Sequence, residues 1–164
     1  MTSLTSPVQT QLAELLADVI PCAERVHLCK TGSDATAAAV RLARIHTGRD
    51  KIVRWGYNGW HDWCSSKTAG IPEGGFRMSL GGAQEYYGVT PDLATFSKGM
   101  ANGYAVSALV GRADVMDSLK ESRFSSTFFT NTSEMAATIK TIECIREKNV
   151  VPYIWKLGGK LMDG

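Results

Sequence analysis

Pro91-Asp92-Leu93-Ala94-Thr95-Phe96-Ser97-Lys98-Gly99-Met100-Ala101-Asn102-Gly103 is a short apolar run that ends on a lysine and then breaks into a glycine-bounded turn. Residues 93–97 have the length of a buried strand, and Gly99 and Gly103 punctuate the turn beyond it. In open α/β sheets ligands bind at the carboxyl ends of strands, which is where this reading puts Lys98. Partial desolvation of an amine at such a place favours its neutral, nucleophilic form, and a free amine can form a Schiff base with an aldehyde. A solvated lysine capping a strand is the simpler account of the stretch in isolation, so the rest of the chain has to decide.

Working outward, Leu12, Leu15, Leu16, Val19 and Ile20 recur at helical spacing over residues 6–20, and Pro21 stops the run. Residues 25–29 form a short strand candidate. The loop Lys30-Thr31-Gly32-Ser33-Asp34 then opens an alanine-rich segment, residues 35–46, that reads as a helix closed by Gly48. Residues 51–55 suggest another strand, followed by the aromatic loop Gly56-Tyr57-Asn58-Gly59-Trp60-His61-Asp62-Trp63, and around residues 71–76 all periodicity is lost. Residues 105–110 form a further strand, with helices expected over 113–119, 133–148 and, more weakly, after Pro152 to Leu161. Strands alternating with helices imply an α/β fold with a mostly parallel sheet flanked by helices.

The 164 residues fit one domain, and 18 basic against 16 acidic residues leave a formal charge of +2 without long runs. Such a balance gives no footprint for nucleic acid or a membrane surface, and a small molecule or a protein suits it better. Cys22, Cys29, Cys64 and Cys144 form no C-x-x-C pair, which points to reduced thiols. There is no membrane-spanning run and no recognisable secretion signal, so the expected location is cytoplasmic. His27, His46 and His61 are scattered without metal-ligand spacing, and no metal is expected.

Gly32 and Ser33 stand between a strand and a helix, where unpaired amides and the helix dipole suit a phosphate. Capping of the helix by Ser33 or Asp34 accounts for the same residues better when they are read alone. Tyr57 can stack on a planar heterocycle or pack on Trp55, Trp60 or Trp63, two readings that stand level. His61-Asp62 has no placed nucleophile and reads as structural. Thr127, in Ser125-Ser126-Thr127-Phe128-Phe129-Thr130-Asn131, can offer a hydroxyl to an anion or belong to a turn before a helix.

Thr31-Gly32-Ser33-Asp34-Ala35, with Ala38-Ala39-Val40-Arg41-Leu42-Ala43-Arg44 and Thr47-Gly48-Arg49, resembles the phosphate-loop helix of class III pyridoxal-phosphate aminotransferases, particularly their glutamate semialdehyde aminomutase-like branch. The likeness continues in order. Residues 57–62 resemble the family's Tyr-His-Gly loop, residues 91–103 its Schiff-base segment, and Ser126-Thr127-Phe128 its Gly-Thr-Phe segment. The resemblance implies pyridoxal 5'-phosphate as cofactor, with Lys98 holding it as a Schiff base and shuttling protons, Gly32 and Ser33 binding its phosphate, and Tyr57 stacking on its ring. It implies further that Thr127 reaches the phosphate of a neighbouring subunit's cofactor, and hence a homodimer.

The family is considerably longer. Residues up to Gly74 resemble the region after the aromatic loop, whereas Gly75-Phe76-Arg77 resembles the end of the family's Asp-Glu-Val-x-x-Gly-Phe-Arg motif, an apparent internal deletion near residues 73–75. The missing stretch includes the aspartate that pairs with the pyridine nitrogen, and Asn58 stands where histidine is usual. Residues 1–164 then correspond to an incomplete large domain of fold type I, without the small carboxyl-terminal domain. Three neighbouring strands are expected to survive, with residues 105–110 between the strand before the phosphate helix and the strand ending in Lys98. The outer edge of the lysine strand is expected to be bare, and residues 51–55 to lose their partner. The implied function is transfer of an amino group from a small-molecule donor to a carbonyl acceptor. The alternative is a non-catalytic remnant that binds cofactor weakly or acts through dimerisation.

Overall fold

The computed structural model describes residues 5–53, 58–61, 63–64, 79–122 and 124–163. Helix α1 (Pro7–Val19) begins at Ser6, whose side chain accepts from the Gln9 amide, with proline at the first helical position. Strand β1 (Arg25–Cys29) leads into helix α2 (Gly32–Thr47). A one-and-a-half-turn helix α3 (Ala83–Tyr87) precedes strand β2 (Leu93–Phe96), and strand β3 (Ser107–Gly111) comes after it. Short helices α4 (Ala113–Met116) and α5 (Leu119–Ser122) then lead to the longer α6 (Thr132–Glu147) and α7 (Val150–Asp163).

The sheet has the order β1-β3-β2, so the strand expected between the other two lies there. The expectation of a mostly parallel sheet is not met among the described strands, because both pairings are antiparallel. For β2 and β3 the physical reason is the connection. Residues 97–106 return the chain from β2 directly to its neighbour β3, and so short a link cannot make the crossover that a parallel neighbour needs. β1 and β2 run parallel to each other on either side of β3, and β2 is an edge strand among the described residues.

Every residue of β3 is buried. Ala108 and Val110 face a core built with Leu12 and Leu16 of α1 and Met135, Ile139 and Ile142 of α6. Leu109 faces the other way, into a cluster with Ala35, Ala38 and Leu42 of α2, Met116 and Phe129. The period of two along a strand thus produces a helix-sheet-helix sandwich. The alanine stripe of α2 lets that helix sit close to the sheet.

Two expected elements differ. Residues 51–53 form no strand, and Val53 is fully exposed; residues 54–55 lie outside the described residues. The helix expected over residues 113–119 divides into α4 and α5 at Asp117-Ser118.

Candidate active site

Because β1 and β2 both run against β3, their carboxyl ends meet at the same end of it. Cys29 pairs with Ser107 and Phe96 with Ala108. The chain segments that leave these two strands, Lys30-Thr31-Gly32-Ser33 and Ser97-Lys98, therefore face one another across the start of β3. A cavity of about 390 Å³ opens there, lined by both segments together with Thr36, Trp60, Thr95 and Tyr104 among others.

The α2 side of this cavity is rigidly built. Thr31 takes the N-cap position: its hydroxyl accepts from the Asp34 amide at 3.2 Å, while the Asp34 carboxylate accepts from the Thr31 amide at 2.8 Å. This reciprocal capping box leaves the amides of Gly32 and Ser33 among the first-turn donors that no helical carbonyl can reach. Ser107 Oγ donates to the Thr31 carbonyl at 2.6 Å, tying the loop to β3. A Cβ on Gly32 would lie 3.2 Å from Ser97 Cβ, so glycine here lets the phosphate-loop segment approach the lysine segment closely.

Lys98 begins a single 3-10 turn, Lys98–Met100, with φ at 46°, a left-handed value that an L side chain adopts at a cost. The turn is pinned from below by Met100, which is wholly buried, and from the side by Ser97 Oγ donating to the Val106 carbonyl at 3.3 Å. Lys98 thereby stands on the cavity wall across from the α2 terminus.

The described part of the aromatic loop docks on the first turn of α2. Thr36 Oγ1 donates to the Asn58 carbonyl at 2.8 Å, and the Trp60 amide donates to Ser33 Oγ at 3.3 Å. Gly59 has φ at 109°, and a Cβ there would fall 2.8 Å from Ser33 Oγ, so the loop can pass this point only as glycine. The anticipated stacking residue, Tyr57, lies outside the described residues, as does Asp62 of the His61-Asp62 pair. His61 Nε2 lies 3.9 Å from Asp34 Oδ1.

Gly32, Ser33 and Lys98 are thus brought together, and Thr127 is not. It occupies an exposed turn before α6 and does not line the cavity. Sequence reasoning missed Thr31 as the cap, although Thr31-x-x-Asp34 before an apolar run is the written signature of a capping box. It also missed Lys30, whose ammonium is 2.7 Å from Glu134 Oε1 of α6 and whose side chain lines the cavity. Lys30 holds the Glu134 carboxyl below its usual range. On the adjacent strand residue, burial pushes the Cys29 thiol up to about 12, with the charge of Asp34 adding to the effect. Among the described residues no cluster of three or more His, Cys, Asp or Glu is placed to hold a metal, and no helix is long and apolar enough to cross a membrane.

Known proteins share this architecture. A solved ornithine aminotransferase from Toxoplasma gondii superposes with a TM-score of 0.82 over 99% of this chain and 59% of its own, at 17% identity. The FumI protein of Sphingopyxis, solved in its pyridoxal-phosphate internal aldimine form, gives 0.78 over 89% of this chain and 53% of its own, at 25% identity. In sequence, a 3-aminobutyryl-CoA aminotransferase from Cloacimonas acidaminovorans is 36% identical over 231 aligned positions, covering 96% of this chain and 56% of that protein. A glutamate-1-semialdehyde 2,1-aminomutase from Prosthecochloris aestuarii is 25% identical, covering 99% of this chain and 58% of its own length. The chain therefore spans about half the length of the curated relatives it matches. With residues 75–164 also matching the family model described as Aminotransferase class-III, the chain belongs to the class III aminotransferase family.

Proposed function

We propose that this chain carries the pyridoxal 5'-phosphate site of an enzyme that moves an amino group between an amino compound and a carbonyl compound, as an aminotransferase or aminomutase. The observation that carries the reading is the convergence of Gly32, Ser33 and Lys98 on one cavity at the shared end of β1 and β2. The cradle fits the group: the α2 terminus offers first-turn amides and dipole to a phosphate, and the close approach at Gly32 keeps the anion site within the same small volume as the lysine. When bound, pyridoxal phosphate supplies an electron sink for negative charge developing on the substrate carbon. Gly32 and Ser33 anchor its phosphate, and Ser33 Oγ, already accepting from Trp60, retains its own proton to donate. Lys98 Nζ holds the cofactor in place and, when displaced by an amino substrate, takes and returns the proton at the amine-bearing carbon.

In the same reading Tyr57 covers the cofactor ring, and Thr127, exposed on its turn, serves the phosphate of a second copy in a homodimer. Residues 1–164 constitute a partial large domain shortened near residues 73–75. That view is supported by an alignment with the Cloacimonas protein that runs over 231 positions against 164 residues here. No disulfide joins Cys22, Cys29, Cys64 and Cys144, which supports a cytoplasmic setting. The first amino donor to screen is 3-aminobutyryl-CoA, the compound named for that relative.

The test is borohydride reduction in the presence of pyridoxal phosphate, followed by peptide mass mapping with Lys98→Ala as control. A phosphopyridoxyl adduct confined to Lys98 supports the proposal. Scattered labelling, or none, overturns it and leaves the non-catalytic remnant.

A further inference from the structure

The ion pair between Lys30 and Glu134 joins residues 104 positions apart in sequence. Its two side chains are 25% and 15% exposed, so it is not a solvent-screened surface pair of the kind that contributes little. The ammonium also lies 6.0 Å from the centroid of the Phe128 ring, within reach of a cation-π contact. Lys30 is thus bracketed by the residue after Thr127 on one side and the first turn of α6 on the other. Glu134 Oε2 is buried without a hydrogen-bonding partner, so loss of Lys30 would leave the carboxylate without a counter-charge, held only by the Asn131 side chain and its own backbone amide.

The turn that bears Thr127 has few anchors of its own. The amides of Phe129 and Asn131 donate locally, to the carbonyls of Ser126 and Phe128 at 3.2 and 3.4 Å. Asn131 occupies the N-cap of α6 yet makes no side-chain capping bond. Phe129 is buried in the α2-side cluster, and its ring and that of Phe124 pack on His27. On the opposite side, Lys30 stands directly before the capped, β3-tethered loop of the cradle.

We propose that Lys30 and Glu134 form a clasp that positions the Thr127 turn and the start of α6 against the phosphate cradle. Both are positioning residues, and their relevance to the cofactor rests on the function proposed above. The clasp explains why a cation on the cavity wall is held by a carboxylate from a distant helix: its task is to fix one wall to another.

The experiment is hydrogen exchange of the full chain, without cofactor, for wild type, Lys30→Met, Glu134→Gln and the exchanged pair Lys30→Glu/Glu134→Lys. Glu134→Gln keeps the side chain's shape but removes the charge that pairs with Lys30, and so guards against simple misfolding. In each single variant the Phe129 and Asn131 amides should exchange about tenfold faster, the size of one charge-assisted hydrogen bond, while the Leu109 amide in β3 is unchanged. The exchanged pair should restore protection. Unaltered exchange at the turn, or an equal rise at Leu109, overturns the clasp. Dissociation constants for pyridoxal phosphate and for pyridoxal then read its effect on the site. Glu134→Gln should weaken the phosphorylated compound severalfold and leave pyridoxal alone. Tighter phosphate binding would instead mean that Glu134 restrains a phosphate-seeking Lys30, and would overturn the positioning role. A wild-type chain that binds neither compound overturns the proposed function, while the exchange data still decide the clasp.

Discussion

Helices α2 and α7 are of similar length, 16 and 14 residues, and are built in opposite ways. α2 is closed at one end by the Thr31–Asp34 capping box and at the other by Gly48 in the left-handed conformation, and it buries Ala35, Ala38 and Leu42 against the sheet. α7 contains no buried residue, and Tyr153, Trp155, Leu161 and Met162 are exposed. α6 packs against it, and the Trp155 ring stacks on Tyr86 at 5.5 Å. An apolar stripe states that a helix has a face to cover; it does not state that the cover is supplied by the same stretch of chain. The helix whose apolar stripe is buried is the one that positions the site.

The sharpest way to break this contrast is to truncate a leucine on each helix. Leu42→Ala should cost about 3 kcal/mol of stability, a core cavity, while Leu161→Ala should change it by less than about 0.5 kcal/mol, both read from urea unfolding midpoints. Equal losses would mean that α7 is as deeply packed in solution as α2. A smaller effect separates the helix starts. Thr31→Ala should cost about 1 kcal/mol through loss of the capping box, whereas Asn131→Ala, which removes no side-chain cap and only a bond from an exposed residue to Glu134, should cost about half as much, ~0.5 kcal/mol.

pH sharpens the comparison between the cradle and the adjoining turn. His27 packs against Phe124 and Phe129 with a buried, unpartnered Nε2, and burial lowers its pKa below the usual 6.5. The folded protein therefore favours neutral His27. Stability contributed this way is fully present above pH 6.5 and is lost as the pH falls from there through the lower folded value. Glu134, whose carboxyl Lys30 holds below its usual 4.5, adds a second loss that begins only below that pH. His27→Phe should flatten the unfolding free energy between pH 7 and 5 and leave the acid limb near pH 4 in place, as followed by denaturant titration at each pH. The least perturbing test is alkylation of the native protein at pH 8. Cys144, half-buried, should label first, and Cys29, whose thiol burial raises to about 12, should resist until unfolding.

The sequence was most legible where local and long-range demands agree. β1 coincides with its expected bounds, and α2 differs from them by three residues at its start. There alanine propensity, a capping pattern and a terminal glycine all favour the same helix. The order of the three strands was legible through resemblance, but their direction was not, because alternation of strands with helices says nothing about which connection crosses over. Residues 51–53 have strand composition, yet composition cannot supply a pairing partner. The five-residue α3 escaped notice because Ala83 to Tyr87 is too short for helical periodicity; its signs were Gly82 before it and Gly88 after it. At the site, Gly32, Ser33 and Lys98 could be named from motif order. The Lys30–Glu134 clasp could not, since no pattern in one chain links residues so far apart.

Lys98 holds a positive φ in the turn that begins with it. Glycine tolerates that backbone at little steric cost, whereas an L side chain gives up about 1 kcal/mol to hold it. The residue on which the proposed chemistry depends is therefore one that the fold alone would prefer to lose. Glycine at this position would relieve the backbone and abolish the proposed chemistry together, so Lys98→Gly is the substitution for which stability and the proposed activity should move in opposite directions.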